Sequence, residues 1–413
     1  MEKSKKDNFI LFILILLMII IFVITIYFIL DVFGIIKVPN KYSIASLFYS
    51  QIEVIATGGE HLTDEIKPSL NETKDNNKKN NYSKAPEVET NEEIDISNVQ
   101  NPIEELNRLK NELNANNQVT DNQEEQTSIE VNNFYYNQLD EYGKIIYDKL
   151  YKNLDKLKTG TYTADFDTTF DDLLHQENGS DILNNSFQLA INALTFDNPD
   201  LFYIDITKIN LVTKITTRAF STTYRISIGG NGKSYLSDEF DGLSKVNSEI
   251  ANIENIKKEI LLKTGSDKVE NLKIVHDYLI DSIEYDVEAG KNVYNVYGAL
   301  VDKKAVCEGY ARTYKLLLDE IGIPCIIACG TGTNRTGETE SHAWNYVQID
   351  NTWYAIDVTW DDPVIIGNGT LTDSLKYRYF LLGSDEFFKD HYEDGNIAAG
   401  FNFEYPVLSS TNY

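Results

Sequence analysis

Three side chains in the second half of the chain could together perform nucleophilic chemistry: Cys307, His342 and Asp357. Cys307 stands directly before the run Glu308–Ile321, in which Tyr310, Tyr314, Leu317 and Ile321 share one face at helical spacing. Gly322 and Pro324 close that helix, so the cysteine sits at its N-terminus. The macrodipole and the free N–H groups at such a position favour a negative sulfur. A free thiol, with a pKa near about 8.5, otherwise stays mostly protonated at neutral pH. Further on, Ser341–Ile349 and Thr352–Val358 both alternate apolar and polar residues, and Asp350-Asn351 between them suits a two-residue hairpin turn. In that register Ile349 opposes Thr352 and Trp344 opposes Asp357. His342 and Asp357 then lie diagonally on one sheet face, within reach of each other. An aspartate on one imidazole nitrogen leaves the other free for a thiol. Nucleophile, base and orienter are all supplied.

The remaining candidates are weaker. Cys325 and Cys329 complete the set of three cysteines, but they lie four apart on an expected strand, about 13 Å along it. That separation exceeds the span of a disulfide, so both are read as buried small hydrophobes and Cys307 as an unpaired thiol. Gly330–Gly337 is dotted with glycine but lacks the ending of a phosphate-binding loop, and is read as a flexible loop beside the site. Asp361-Asp362 is read as a solvated turn, not a cation site. A zinc site on Cys307, His342 and Asp357 lacks the usual close ligand pairs. No metal and no cofactor is expected. His276, His391, Arg312 and Lys315 are read as structural or solvated positions, and the three tryptophans as packing of the hairpin, with one of them a candidate wall of the active-site groove. For an oxyanion the Cys307 backbone N–H is the natural donor, with Asn295 or Tyr297 as a candidate second.

These residues also carry a resemblance. Ala305-Val-Cys-Glu-Gly-Tyr-Ala311, His342-Ala-Trp-Asn345 and Trp353-Tyr-Ala-Ile-Asp-Val-Thr-Trp-Asp-Asp362 resemble the core motifs of the transglutaminase-like superfamily. They look most like its bacterial branch related to transglutaminase/protease-like cytokinesis proteins. Ile274–Tyr278, Ile283–Asp286 and Tyr297–Val301 fit as well, so the resemblance covers residues 247–385. It implies a papain-like α+β core with Cys307 as nucleophile, His342 as base and Asp357 as orienter.

The elements around this core follow from composition and periodicity. Phe9–Leu30 is an uncharged apolar run, about 33 Å long as a helix and so able to span a bilayer. Lys3, Lys5 and Lys6 precede it, which places the N-terminus in the cytoplasm. No small-residue cleavage site follows, so an uncleaved signal anchor is expected. Asn, Glu, Lys, Asp and Gln dominate from Gly59 to Asn132, too polar to fold, and this stretch is read as a disordered tether. Helical periodicity resumes after Phe134, a second helix starts at Ser180, and residues 209–229 read as strands. Helices with apolar faces at Ile250–Leu261 and Leu272–Ile283 follow.

The expected order is thus a cytoplasmic tail (1–8), a transmembrane helix (9–30), a juxtamembrane segment and linker (31–132), a helix-rich α/β region (133–246) and an α+β catalytic domain (247–413). A net charge of −27 argues against nucleic acid as a partner. The expected activity is an outward-facing thiol enzyme that attacks peptide or glutamine amides through a thioester, cross-linking or hydrolysing surface or cell-wall proteins and peptides. The alternatives are a cysteine peptidase of such peptides, or an inactive membrane-tethered scaffold.

Overall fold

The computed structural model describes residues 18, 51–58, 88–89, 133–218, 221–334, 337–363, 365–366, 371–394, 396–398 and 401–413. Apart from Met18, the apolar run Phe9–Leu30 lies outside the described residues, as does almost all of the linker. Among the described residues no helix is long and apolar enough to cross a membrane.

The described chain forms two compact units. The smaller comprises residues 51–57, 165–180 and 211–228. Its sheet is built from β1 (Gln51–Gly58), β2 (Ala164–Asp167), β3 (Asn210–Arg218) and β4 (Ser221–Gly229), in the order β1-β3-β4-β2. On β2 burial alternates, with Ala164 and Phe166 inward, as the period of a one-sided strand requires. An ion pair of Arg225 with Asp167 and the bond from Tyr224 N to Asp171 Oδ1 (2.6 Å) hold its edge.

The larger unit carries the expected helices. They are α1 (Glu141–Tyr151), α2 (Gly179–Asp197), α3 (Leu243–Leu261), α4 (Lys268–Ser282) and α5 (Cys307–Glu320). Asp140 caps α1 by accepting from Gly143 N (2.6 Å), and Asp267 caps α4 by accepting from Glu270 N (3.1 Å). Asp197, ending α2, accepts from the backbone N–H groups of Tyr135 and Tyr136 at 3.1 and 3.0 Å. Those two bonds tie the aromatic segment Phe134–Tyr136 to the end of α2.

Two short strands, β5 (Glu284–Tyr285) and β6 (Lys304–Ala305), pair in parallel and bring Tyr285 opposite Ala305, just ahead of α5. The principal sheet consists of β7 (Cys325–Thr333), β8 (Thr339–Ile349), β9 (Thr352–Ile356) and β10 (His391–Glu393), antiparallel in the order β9-β8-β7-β10. Thr352 pairs with Ile349 and Ile356 with Asn345, the register that the alternation predicts. Asp350 and Asn351 both adopt positive φ (48° and 65°), the geometry of a tight hairpin turn that follows strand twist.

Helix α5 lies buried against this sheet, with every residue from Cys307 to Leu318 enclosed. Burial on all sides corrects two sequence expectations. Arg312 and Lys315 are not solvated; they are 6% and 4% exposed. Arg312 donates to Glu308 Oε1 (2.8 Å) and to the Thr195 carbonyl (2.6 Å), while Lys315 reaches Asp319 Oδ2 (2.8 Å) and the Cys325 carbonyl (3.1 Å). Helical periodicity locates one apolar face, but it does not reveal that a second layer covers the other. Gly330–Thr333, expected as loop, is strand, and only residues 334–338 connect β7 to β8.

Candidate active site

Cys307 opens α5, and Val306, the residue before it, is extended. A neighbouring backbone segment accounts for the glycine two residues on. A Cβ on Gly309 would meet the Val293 carbonyl oxygen at 2.2 Å, and that carbonyl also accepts from Val306 N (3.0 Å). The close approach fixes the entry of the chain into the helix. From the sheet side, Asn345 Nδ2 donates to the Ala311 carbonyl (3.0 Å) and the Ile326 carbonyl (3.3 Å). One buried amide therefore pins the helix to β7 and β8.

His342 lies on β8 and Asp357 just beyond β9, both fully buried. His342 Nε2 is 2.7 Å from Asp357 Oδ2, although 15 positions separate the residues. The ring also hydrogen-bonds Cys307, so the three side chains named from sequence meet in space. Asp357 Oδ1 accepts from Thr359 N (3.0 Å) and Trp360 N (3.1 Å), which holds the carboxylate rigid. Burial opposes charge on His342, but Asp357 and Cys307 outweigh it and raise its pKa to about 9. Burial likewise opposes the Asp357 carboxylate, yet His342 and His391 hold its pKa well below the usual range. The indole of Trp360 stacks on His342 at a centroid distance of 5.1 Å and 29° between planes. Of the three tryptophans, Trp360 is the one that lies against the imidazole.

His391, read from sequence as structural or exposed, belongs to this cluster. Its Nε2 lies 3.1 Å from the same Asp357 Oδ2, and its Nδ1 lies 2.8 Å from Asp390 Oδ1. The ring stacks on Phe387 at 4.1 Å and sits 4.4 Å from Trp360. No spacing signal announced it, because 34 residues separate it from Asp357. His342, Asp357 and His391 each present one potential metal-binding atom within 4.8 Å of one another. The contacts at 2.7 and 3.1 Å are hydrogen-bond lengths, shorter than the about 3.3 Å between ligands of a tetrahedral zinc ion.

Tyr285 is the second residue that the sequence did not assign. Its hydroxyl oxygen is buried without a hydrogen-bond partner. Burial raises its pKa, and after burial Cys307 is the strongest influence, ahead of Glu340, Tyr294 and Asp357. The donors considered earlier are committed elsewhere. Asn295 Nδ2 donates to Asn292 Oδ1 (3.3 Å), and Tyr297 N donates to Asn295 Oδ1 (2.9 Å).

Asp361 is fully buried, which corrects its reading as a solvated turn. It pairs with His276 Nε2 (3.0 Å) and accepts from Tyr379 N (2.7 Å), while its own N–H donates to the Asp357 carbonyl (3.1 Å). Burial raises the Asp361 pKa to about 7 against the pull of His276. This second His–Asp pair anchors the turn that carries Asp357. Cys325 and Cys329 are free and buried, as read from sequence.

A helix-start thiol packed on an antiparallel sheet that bears a buried His–Asp pair defines an α+β core of transglutaminase type. Residues 254–358 match the model of the Transglutaminase-like superfamily. It is 27% identical over 150 residues to kyphoscoliosis peptidase of Mus musculus and 26% to that of Homo sapiens, covering 32% of this chain in each case. The match spans only 22% of the length of those relatives. Among solved structures, one described as a TGase is 18% identical, with a TM-score of 0.25 over 38% of this chain and 46% of its own. The periplasmic domain of TgpA from Pseudomonas aeruginosa is 12% identical, with a TM-score of 0.20 over 37% and 70%.

Proposed function

We propose that the protein is a thiol enzyme of transglutaminase type that opens peptide or side-chain amides through a thioester on Cys307. The observation that carries this reading is the bridging position of His342, bound to Asp357 on one side and to Cys307 on the other. In the reaction the sulfur attacks the amide carbonyl carbon and forms a C–S bond. The proton that leaves the thiol is held on His342, which delivers it to the amide nitrogen as the C–N bond breaks. Asp357 orients the ring and stabilises the imidazolium between these steps. Developing charge on the carbonyl oxygen is met by the backbone N–H of Cys307 at the start of α5 and by the orphan hydroxyl of Tyr285. An amine then resolves the thioester to an isopeptide cross-link, or water resolves it to an acid.

Similarity to kyphoscoliosis peptidase supports the second outcome. The same triad serves both. Location is read from sequence alone. The run Phe9–Leu30 behind Lys3, Lys5 and Lys6 supports a single-pass anchor with the catalytic domain outside the cell, where surface and wall proteins are the substrates.

Iodoacetamide labelling tests the reaction class. Cys307 should be labelled faster than the same thiol in denatured protein, and Cys307→Ala should abolish amide turnover while the domain stays folded. Equal labelling in the folded and denatured states would remove the nucleophile, and a tethered binding protein would stand in its place. Mass spectrometry of surface proteins with and without Cys307 separates lost cross-links from lost cleavages. Protease accessibility of the intact cell places the domain inside or out.

A further inference from the structure

We propose that His391 is a fixed imidazolium that shares Asp357 with His342 and thereby limits how tightly Asp357 holds the base. It acts as a positioning residue, an inference that rests on the triad reading above. The argument begins with donors and acceptors. A neutral imidazole has one N–H, and an ionised carboxylate only accepts. Both ring nitrogens of His391 lie within hydrogen-bond distance of carboxylate oxygens, 3.1 Å from Asp357 and 2.8 Å from Asp390. Both contacts can be satisfied together only if the ring carries two protons or a carboxyl group carries one. Asp357 is a poor place for that proton, since two imidazole nitrogens and two backbone N–H groups converge on its oxygens. Asp390 is also bound as an acceptor, from the Tyr379 hydroxyl at 2.8 Å. The extra proton therefore belongs on His391. Burial opposes this, but Asp357 and Asp390 prevail and the His391 pKa is raised.

The neighbours confine the ring. Phe387, Trp344 and Trp360 enclose it, and the titratable groups facing it are His342 on β8, Asp357 beyond β9, Tyr379, and Asp390 on its own segment. Its side chain has no solvent exposure, so the charge is not screened by water. Asp357 Oδ2 thus lies between two imidazoles whose centroids are 5.6 Å apart. A cation on the far side of Asp357 weakens its attraction for a proton on His342. The base can then give up that proton to the leaving amine at a lower pH than an unshared aspartate would allow.

The test uses the full chain in detergent, with histidine ring nitrogens labelled with nitrogen-15. At about pH 8 both His391 nitrogens should show the shifts of protonated sites. A ring with one protonated nitrogen there overturns the proposal. The second measurement is the pH profile of Cys307 alkylation. In His391→Gln, which can keep a donor but loses the charge, the higher ionisation should move up by about one pH unit. In Asp390→Asn it should move the same way. An unmoved ionisation in folded variants overturns the tuning role, and a rate lowered without a shift marks His391 as packing only. If Cys307 is no more reactive than a denatured thiol, the triad reading fails on its own, while the nitrogen shifts still decide the charge of His391.

Discussion

The indole of Trp360 occupies the space that a side chain on Gly332 would need. A Cβ there would meet Trp360 Cζ2 at 2.6 Å and His342 Cδ2 at 3.5 Å. Trp360 is 4% exposed and enclosed by rings, so it has no room to retreat. Gly332→Ala should therefore cost about 1–3 kcal/mol of stability in urea unfolding and should tilt the wall of His342. A fall in Cys307 alkylation rate should accompany it. Equal stability would show that the stack is loose.

Tyr285→Phe removes only the hydroxyl, which has no partner to leave behind. Stability should hold or rise slightly, because no bond within the protein is lost. Turnover of an amide or ester substrate should drop by about tenfold to a thousandfold through kcat, with KM little changed. Cys307 alkylation forms no oxyanion and should be nearly unaffected. Parallel losses in both assays would instead place the hydroxyl in ground-state packing.

His342 sets the alkaline side of the pH dependence. Its folded pKa of about 9 lies above the unfolded value of about 6.5. The His342 contribution to stability is complete below about pH 6.5 and is lost as pH rises through about 9. Asp357 has the opposite sign, because its pKa is depressed, and its contribution disappears only in acid. Turnover that needs the His342 proton for the leaving amine should fall with an alkaline limb near pH 9. A limb near the free-imidazole value would show that Asp357 does not hold the ring in solution.

Glu308 and Arg312 form an ion pair inside α5, with side chains 1% and 7% exposed. Glu308→Gln strands the guanidinium without its countercharge and should cost about 3–5 kcal/mol by chemical denaturation. Adding Arg312→Met should recover much of that loss, since the stranded charge is gone. The comparison is a double-mutant cycle. A double variant less stable than the single one would mean that the Arg312 bond to the Thr195 carbonyl dominates.

The site was legible in part because its two local patterns are periodic. Helical spacing placed Cys307 at the head of α5, and strict alternation with a two-residue turn set the register that puts His342 beside Asp357. Burial was less legible. Arg312, Lys315 and Asp361 carry charge, and a charged side chain reads as solvated until its partner is known. Arg312 and Lys315 pair one turn away with Glu308 and Asp319, but the groups that help enclose Arg312 and Asp361, the Thr195 carbonyl and His276, are remote in sequence.

By itself, the sequence placed Cys307 at a helix start and set His342 and Asp357 on one face of a hairpin, since each position follows from spacing within one helix or one hairpin. Tertiary structure alone decided what surrounds them: His391 on the shared carboxylate oxygen, Tyr285 beside the thiol, and Trp360 over the imidazole in the gap left by Gly332. The physical reason is range. Backbone periodicity acts over a few residues, whereas hydrogen bonds and packing join groups tens of positions apart and leave no repeat along the chain.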